Sequence, residues 1–246
     1  MQTHETDHTP ATPEQLAILT GEIALAVAKA KPSFARIQKL LGSKSATRKS
    51  ISTAVLSALE IDSAPDPRLV KSQRLWAKLG LPLDCLDDLV MPDIPTDWDG
   101  VAIIPEVSCE RLFALCVKHF PSWKYGNNLD NFKEEQNRPS RAYALGHRGG
   151  VEPDVLHRGK SYNQCIEEGL IFLTQKERIC IELLRFAETG EHLDVVGLTI
   201  TSSLAEVGHA YYAHLDSSFR TQVFRMGFCR RMCADSAGGP RQAVFA

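Results

Sequence analysis

Apolar residues in the first third of the chain recur at helical spacing. Leu16, Leu19, Ile23 and Val27 share one face, behind a start signal in Thr12-Pro13-Glu14-Gln15. Thr12 can cap, Pro13 suits the first turn, and Gln15 stands three residues after the cap. Lys31 precedes Pro32, and the residue before a proline avoids the helical region, so the helix stops there. Ser33 caps a second helix with Phe34, Ile37, Leu40 and Leu41 on one side, ended by Gly42. A third helix is predicted from about Ala46 to Leu59, with Ile51, Val55 and Leu59 inward. Ala64-Pro65-Asp66-Pro67 breaks the chain. A fourth helix over 68–79 presents Leu69, Leu75, Trp76 and Leu79 and closes at Gly80.

The pattern then changes. Residues 82–100 hold three Pro and six Asp and read as an acidic connector. Val101-Ala102-Ile103-Ile104 is a short buried strand. Ser108 caps a helix carrying Leu112, Phe113, Leu115, Cys116 and His119, closed by Pro121. Trp123-Lys124-Tyr125 and 141–147 are predicted as strands, with a turn at Gly126-Asn127-Asn128 and a charged loop over 130–140. Thr174-Gln175-Lys176-Glu177 is a full capping box. Its helix aligns Ile179, Leu183 and Phe186 and ends at Thr189-Gly190. The last quarter alternates as strands over 195–201, 207–214 and 219–228, with Asp216-Ser217-Ser218 as a hairpin turn and a loop over 236–240.

These elements predict an α+β fold: a helical amino-terminal module and a mixed α/β body ending in a small antiparallel sheet. The expected organisation is a flexible tail over 1–11, the helical module over 12–81, the connector over 82–100 and the body over 101–246. A hydrophobic content of 43% is ordinary for a chain that buries a core. The apolar runs fall far short of the ~20 residues that span a bilayer. The polar first residues lack the apolar stretch of a secretory signal, so a cytoplasmic location without membrane association is expected. Seven cysteines, an odd number at irregular spacing, predict reduced thiols rather than a disulfide framework.

Charge sharpens the picture. From Ile23 to Leu59 there is no Asp or Glu, and Lys29, Lys31, Arg36, Lys39, Lys44, Arg48 and Lys49 supply seven positive charges. The whole chain carries −2, so the residues outside that stretch carry −9 against its +7. Lys44, Arg48 and Lys49 sit at the start of the third predicted helix, where cations oppose the positive end of the helix dipole. The same arrangement suits an anion, on which free backbone N–H groups and cations converge. Ser43, Ser45, Thr47 and Ser50 add short donors of the kind that contact phosphate.

Two resemblances follow from particular residues. Ile103-Ile104-Pro105, Trp123-Lys124-Tyr125 with Leu129-Asp130, Glu152-Pro153-Asp154, and Leu173-Thr174 through Ala187-Glu188-Thr189-Gly190-Glu191-His192-Leu193-Asp194 resemble a group of uncharacterised bacterial proteins. That likeness covers about 94–201 and implies a bacterial cytosolic globular protein, with no activity or site attached. Pro32-Ser33-Phe34 through Leu40-Leu41-Gly42-Ser43 to Ser45-Ala46-Thr47 is similar to the amino-terminal domain of certain plasmid-encoded accessory DNA-binding proteins. Helix, break with Gly, helix is the minimal rhythm of a helix-turn-helix.

Other candidate chemistry is weaker. His147-Arg148-Gly149 recurs as His157-Arg158-Gly159, with Glu152 and Asp154 between. His and carboxylates can bind a divalent ion while Arg holds phosphate, which would suit a metal-assisted phosphodiesterase. A polar, Gly-containing surface loop explains the same residues without chemistry. Cys229 and Cys233 with His209 and His214 invite zinc, but residues five apart on one strand face opposite sides. Arg230 and Arg231 would instead depress a thiol pKa. Trp76, Trp98 and Trp123 read as packing rather than as stacking platforms.

The expected function is therefore a non-enzymatic nucleic-acid-binding accessory protein using residues 29–53, with no cofactor or metal. Lys44, Ser45, Thr47, Arg48 and Lys49 are the expected contacts. The alternatives are the phosphodiesterase built on His147, Glu152, Asp154 and His157, and an interaction module docking on an acidic protein partner.

Overall fold

The structure, a computed structural model, describes residues 12, 13, 18, 66–83, 89–126, 128–218 and 221–245. The chain divides into two compact units, Met1–Ala64 and Pro65–Ala246, and the second carries the helices and strands that follow. Of the first three predicted helices only residues 12, 13 and 18 are described, with Pro13 and Ile18 helical; the second and third lie outside the described residues.

Helix α1 spans Pro67–Lys78, started by Asp66, whose side chain accepts from the Arg68 amide, and by Pro67 in the first turn. It sits beside strand β1, Gly100–Ile104. The Trp76 indole donates to the Ile103 carbonyl at 2.8 Å, and the Ile103 amide donates to Ser72 Oγ at 2.9 Å. These bonds place α1 with the body, ahead of the 82–100 stretch that the sequence reading takes as the boundary. The described part of that stretch packs on the body: Trp98 is buried, and Leu89 and Met91 pack against the core.

Ser108 caps helix α2, Cys109–His119, as its position predicts. Strands β2 (Ser122–Lys124), β3 (Phe132–Glu134) and β4 (Tyr143–His147) follow. A single 3₁₀ turn, Val155–His157, leads to the short helix α3, Tyr162–Glu167. Helix α4, Gln175–Thr189, carries the expected capping box, and Gly190 ends it at a φ of 75°. The last strands are β5 (Thr199–Ala205), β6 (Ala210–Asp216), β7 (Val223–Cys229), β8 (Gly239–Pro240) and β9 (Ala243–Phe245).

The fold is α+β with two sheets. The smaller has the order β1-β4-β9, antiparallel throughout, with Gly100 opposite His147 and Leu145 opposite Phe245. The larger runs β2-β7-β6-β5-β3, and β8 joins β5 in parallel. Its centre is the antiparallel meander β5-β6-β7 predicted for the last quarter, although β5 begins four residues later than predicted. The supposed charged loop over 130–140 contributes β3, and the supposed tail loop contributes β8 and leads into β9. Helix α4 packs on α1, α2 and β1 and also on β5 and β6, so it bridges the two sheets and is buried along most of its length.

Candidate functional site

The 147–157 loop leaves β4 and runs over the two sheets. His147 is 8% exposed and faces Gly100 across the β1–β4 pair. A Cβ at position 100 would lie 2.3 Å from His147 Cε1, so the imidazole occupies the space that only glycine leaves open. The Gly149 amide donates to His147 Nδ1 at 3.0 Å. An accepting Nδ1 puts the ring proton on Nε2. Burial, with the positive fields of Arg241 and Arg178, pushes the imidazole pKa down to about 3, so the ring is neutral at physiological pH.

The other members of the candidate metal set face elsewhere. The Glu152 carboxylate accepts from the Val196 and Gly197 amides at 3.0 and 2.9 Å, which ties down the loop before β5. Asp154 accepts from the Gln242 amide at 2.7 Å. His157 is buried, with no partner for Nε2 among the described residues and Nδ1 3.4 Å from Lys160 Nζ. Arg148 pairs with Asp97 and lies over the Trp98 ring. Among the described residues, no three His, Cys, Asp or Glu side chains come together in a way that could hold a metal ion. The phosphodiesterase constellation therefore does not assemble. Its carboxylates cap backbone amides, a role that spacing along the chain does not reveal.

Beneath this loop lies a buried charge network. Arg178, on α4, donates to Asp194 Oδ2 through Nε and Nη2 at 3.0 and 2.8 Å and to Glu182 Oε2 at 2.8 Å. Arg241, between β8 and β9, donates to Asp194 Oδ1, to Thr199 Oγ1 and to the Gly150 and Val151 carbonyls at 2.6–2.9 Å. Glu182 also holds His192 Nδ1 at 2.7 Å. Burial alone would raise the Asp194 pKa, but the two guanidinium groups overcome it and hold the carboxyl below its ordinary value. Two cations and two anions thus share an interior that α4, β5 and β9 close around. This network pins the loop and spends its charges on structure.

Farther along, Cys229, Cys233, His209 and His214 do not form a metal-holding group among the described residues. Burial first, then the neighbouring Cys233, pushes the Cys229 thiol up to about 11, opposite to the depression expected from Arg230 and Arg231. Arg231 instead pairs with Glu135 at 3.0 Å and covers the Tyr162 ring. The six described cysteines are free. Trp76 and Trp98 are buried, whereas Trp123 is 46% exposed on the edge strand β2 with the Arg225 guanidinium over its ring.

Lys44, Ser45, Thr47, Arg48 and Lys49 lie outside the described residues. No helix among the described residues is long and apolar enough to cross a membrane. No family model, curated protein or solved structure matches the chain.

Proposed function

We propose that the protein is a non-enzymatic nucleic-acid-binding accessory protein whose contact surface lies within residues 29–53, with Lys44, Ser45, Thr47, Arg48 and Lys49 on the phosphates. One observation carries the reading: seven cations and no carboxylate between Ile23 and Leu59 in a chain whose net charge is −2. A run of cations with short hydroxyl donors among them and no carboxylate complements the repeated phosphates of a nucleic acid.

The test is charge reversal. The double variant Arg48→Glu, Lys49→Glu should lose salt-sensitive retention of duplex DNA in an electrophoretic titration while its circular dichroism stays that of the wild type. Retention equal to wild type would remove those residues from the contact surface and the proposal with them.

A further inference from the structure

The six described thiols differ in access. Cys109, Cys116, Cys165 and Cys180 are buried, whereas Cys229 is half-buried and Cys233 is exposed. The two accessible thiols also adjoin in space. Strand β7 ends at Cys229, and the chain then folds back through a turn in which the Cys233 N–H donates to the Arg230 carbonyl at 2.9 Å. The turn brings the Cys233 thiol beside that of Cys229, close enough for a hydrogen bond between them.

The turn is fixed by contacts that involve neither sulfur. The Asn163 amide, in the first turn of α3, donates to the Arg231 carbonyl at 3.1 Å. The Arg231 guanidinium reaches Glu135 at 3.0 Å and lies over the Tyr162 ring. A tetrahedral metal needs more ligands than these two thiols supply, and no third His, Cys, Asp or Glu joins them among the described residues. The chemistry left to an adjoining pair is oxidation, because a disulfide forms readily only where the chain already sets two sulfurs side by side.

We propose that Cys229 and Cys233 form a reversible disulfide, with a low-molecular-weight disulfide of the glutathione type as the oxidant. The exposed Cys233, as its thiolate, attacks one sulfur of the small disulfide and forms a mixed disulfide. The first small thiolate leaves and takes up the proton that Cys233 lost. Cys229 then gives up its proton, attacks Cys233 Sγ and expels the second small thiolate, which takes that proton. Two protein thiols are oxidised by two electrons, and one small disulfide is reduced to two thiols. Burial sets the order: it pushes the Cys229 thiol up to about 11, so near neutrality Cys229 stays protonated and the first attack falls to Cys233. The site lies in the second unit and stands or falls separately from nucleic-acid binding.

The experiment incubates the reduced full-length protein with oxidised glutathione, alkylates the remaining thiols, digests with trypsin without reduction and maps the peptides by mass spectrometry. Trypsin cuts after Arg230 and Arg231, so a Cys229–Cys233 bond appears as two joined peptides lacking two hydrogens. Wild-type protein should give that joined pair, and dithiothreitol should separate it. Cys229→Ser should halt at the first step and accumulate one glutathione on Cys233, about tenfold above the wild-type level, because no second thiol resolves it. Cys229→Ala gives the same reading should the serine disturb the end of β7. Cys233→Ser should leave Cys229 unmodified. No joined pair in wild type, equal glutathione on Cys233 in wild type and in both Cys229 variants, or glutathione on Cys229 of Cys233→Ser would each overturn the proposal.

Discussion

At the scale of single residues, the interior is organised by ionisable groups whose partners are remote in sequence. Asp194 alone among described non-glycine residues has a positive φ, 55°, a conformation that costs an L residue about 1 kcal/mol or more. It is held there by the hydrogen bond its N–H donates to the Val151 carbonyl and by Arg178 and Arg241 on its carboxylate. Asp194→Asn should destabilise the protein by about 3–5 kcal/mol, because two buried guanidinium groups lose their shared counter-charge. Urea denaturation measures it. None of this was legible in the sequence. Asp194 stands in a polar segment, and nothing local marks Arg241, 47 residues on, as its partner.

Two buried groups also give opposite pH trends. His147 is held near 3 against an ordinary 6.5, so the unfolded chain takes up a proton that the folded one refuses. Stability from this group is full above about pH 6.5 and is lost as pH falls toward 3. Glu134 is raised from 4.5 to about 7, chiefly by burial, so here the folded chain holds the extra proton. Its stability is full below pH 4.5 and is lost as pH rises through 7. Between pH 6.5 and 4.5 the two slopes, each up to about 1.4 kcal/mol per pH unit, largely offset. Glu134→Gln removes one of them. The variant should lose stability relative to wild type as pH falls from 7 to 4.5, and denaturation curves across that range check the sign.

At the scale of elements, the capped helices were the most legible part. Ser108, Thr174 with Glu177, and Gly190 act where their sequence positions place them. Thr174→Ala should cost about 0.5–2 kcal/mol by unfolding midpoint. Glu177 shows what the motif leaves out: the capping carboxylate also receives Arg138 and the Tyr143 hydroxyl, both at 2.6 Å. Strands β3, β8 and β9 were missed because two or three residues carry too little periodicity and exist only through pairing. The docking of α1 was missed for a related reason. Its bonds reach the edge of β1 away from β4, where no strand among the described residues pairs with Ile103. Ser72→Ala would orphan a buried amide and should cost about 1–3 kcal/mol, read as a lower urea midpoint with an unchanged slope.

At the scale of the whole molecule, the α+β class and the charge polarity were both readable from the sequence. The class followed from the switch of hydrophobic period after residue 100, and the polarity from the absence of carboxylates between Ile23 and Leu59. The His147–His157 constellation misled, because residue type and spacing cannot distinguish a carboxylate aimed at a metal from one that caps an amide. The central claim concerns the amino-terminal cations, and equilibrium binding measures it most directly. Wild-type protein is titrated against a fluorescent random duplex between about 50 and 200 mM salt. Five phosphate contacts predict that log K falls against log salt with a slope of about −4.5. No binding at the lower salt, or a slope near zero, would contradict the account.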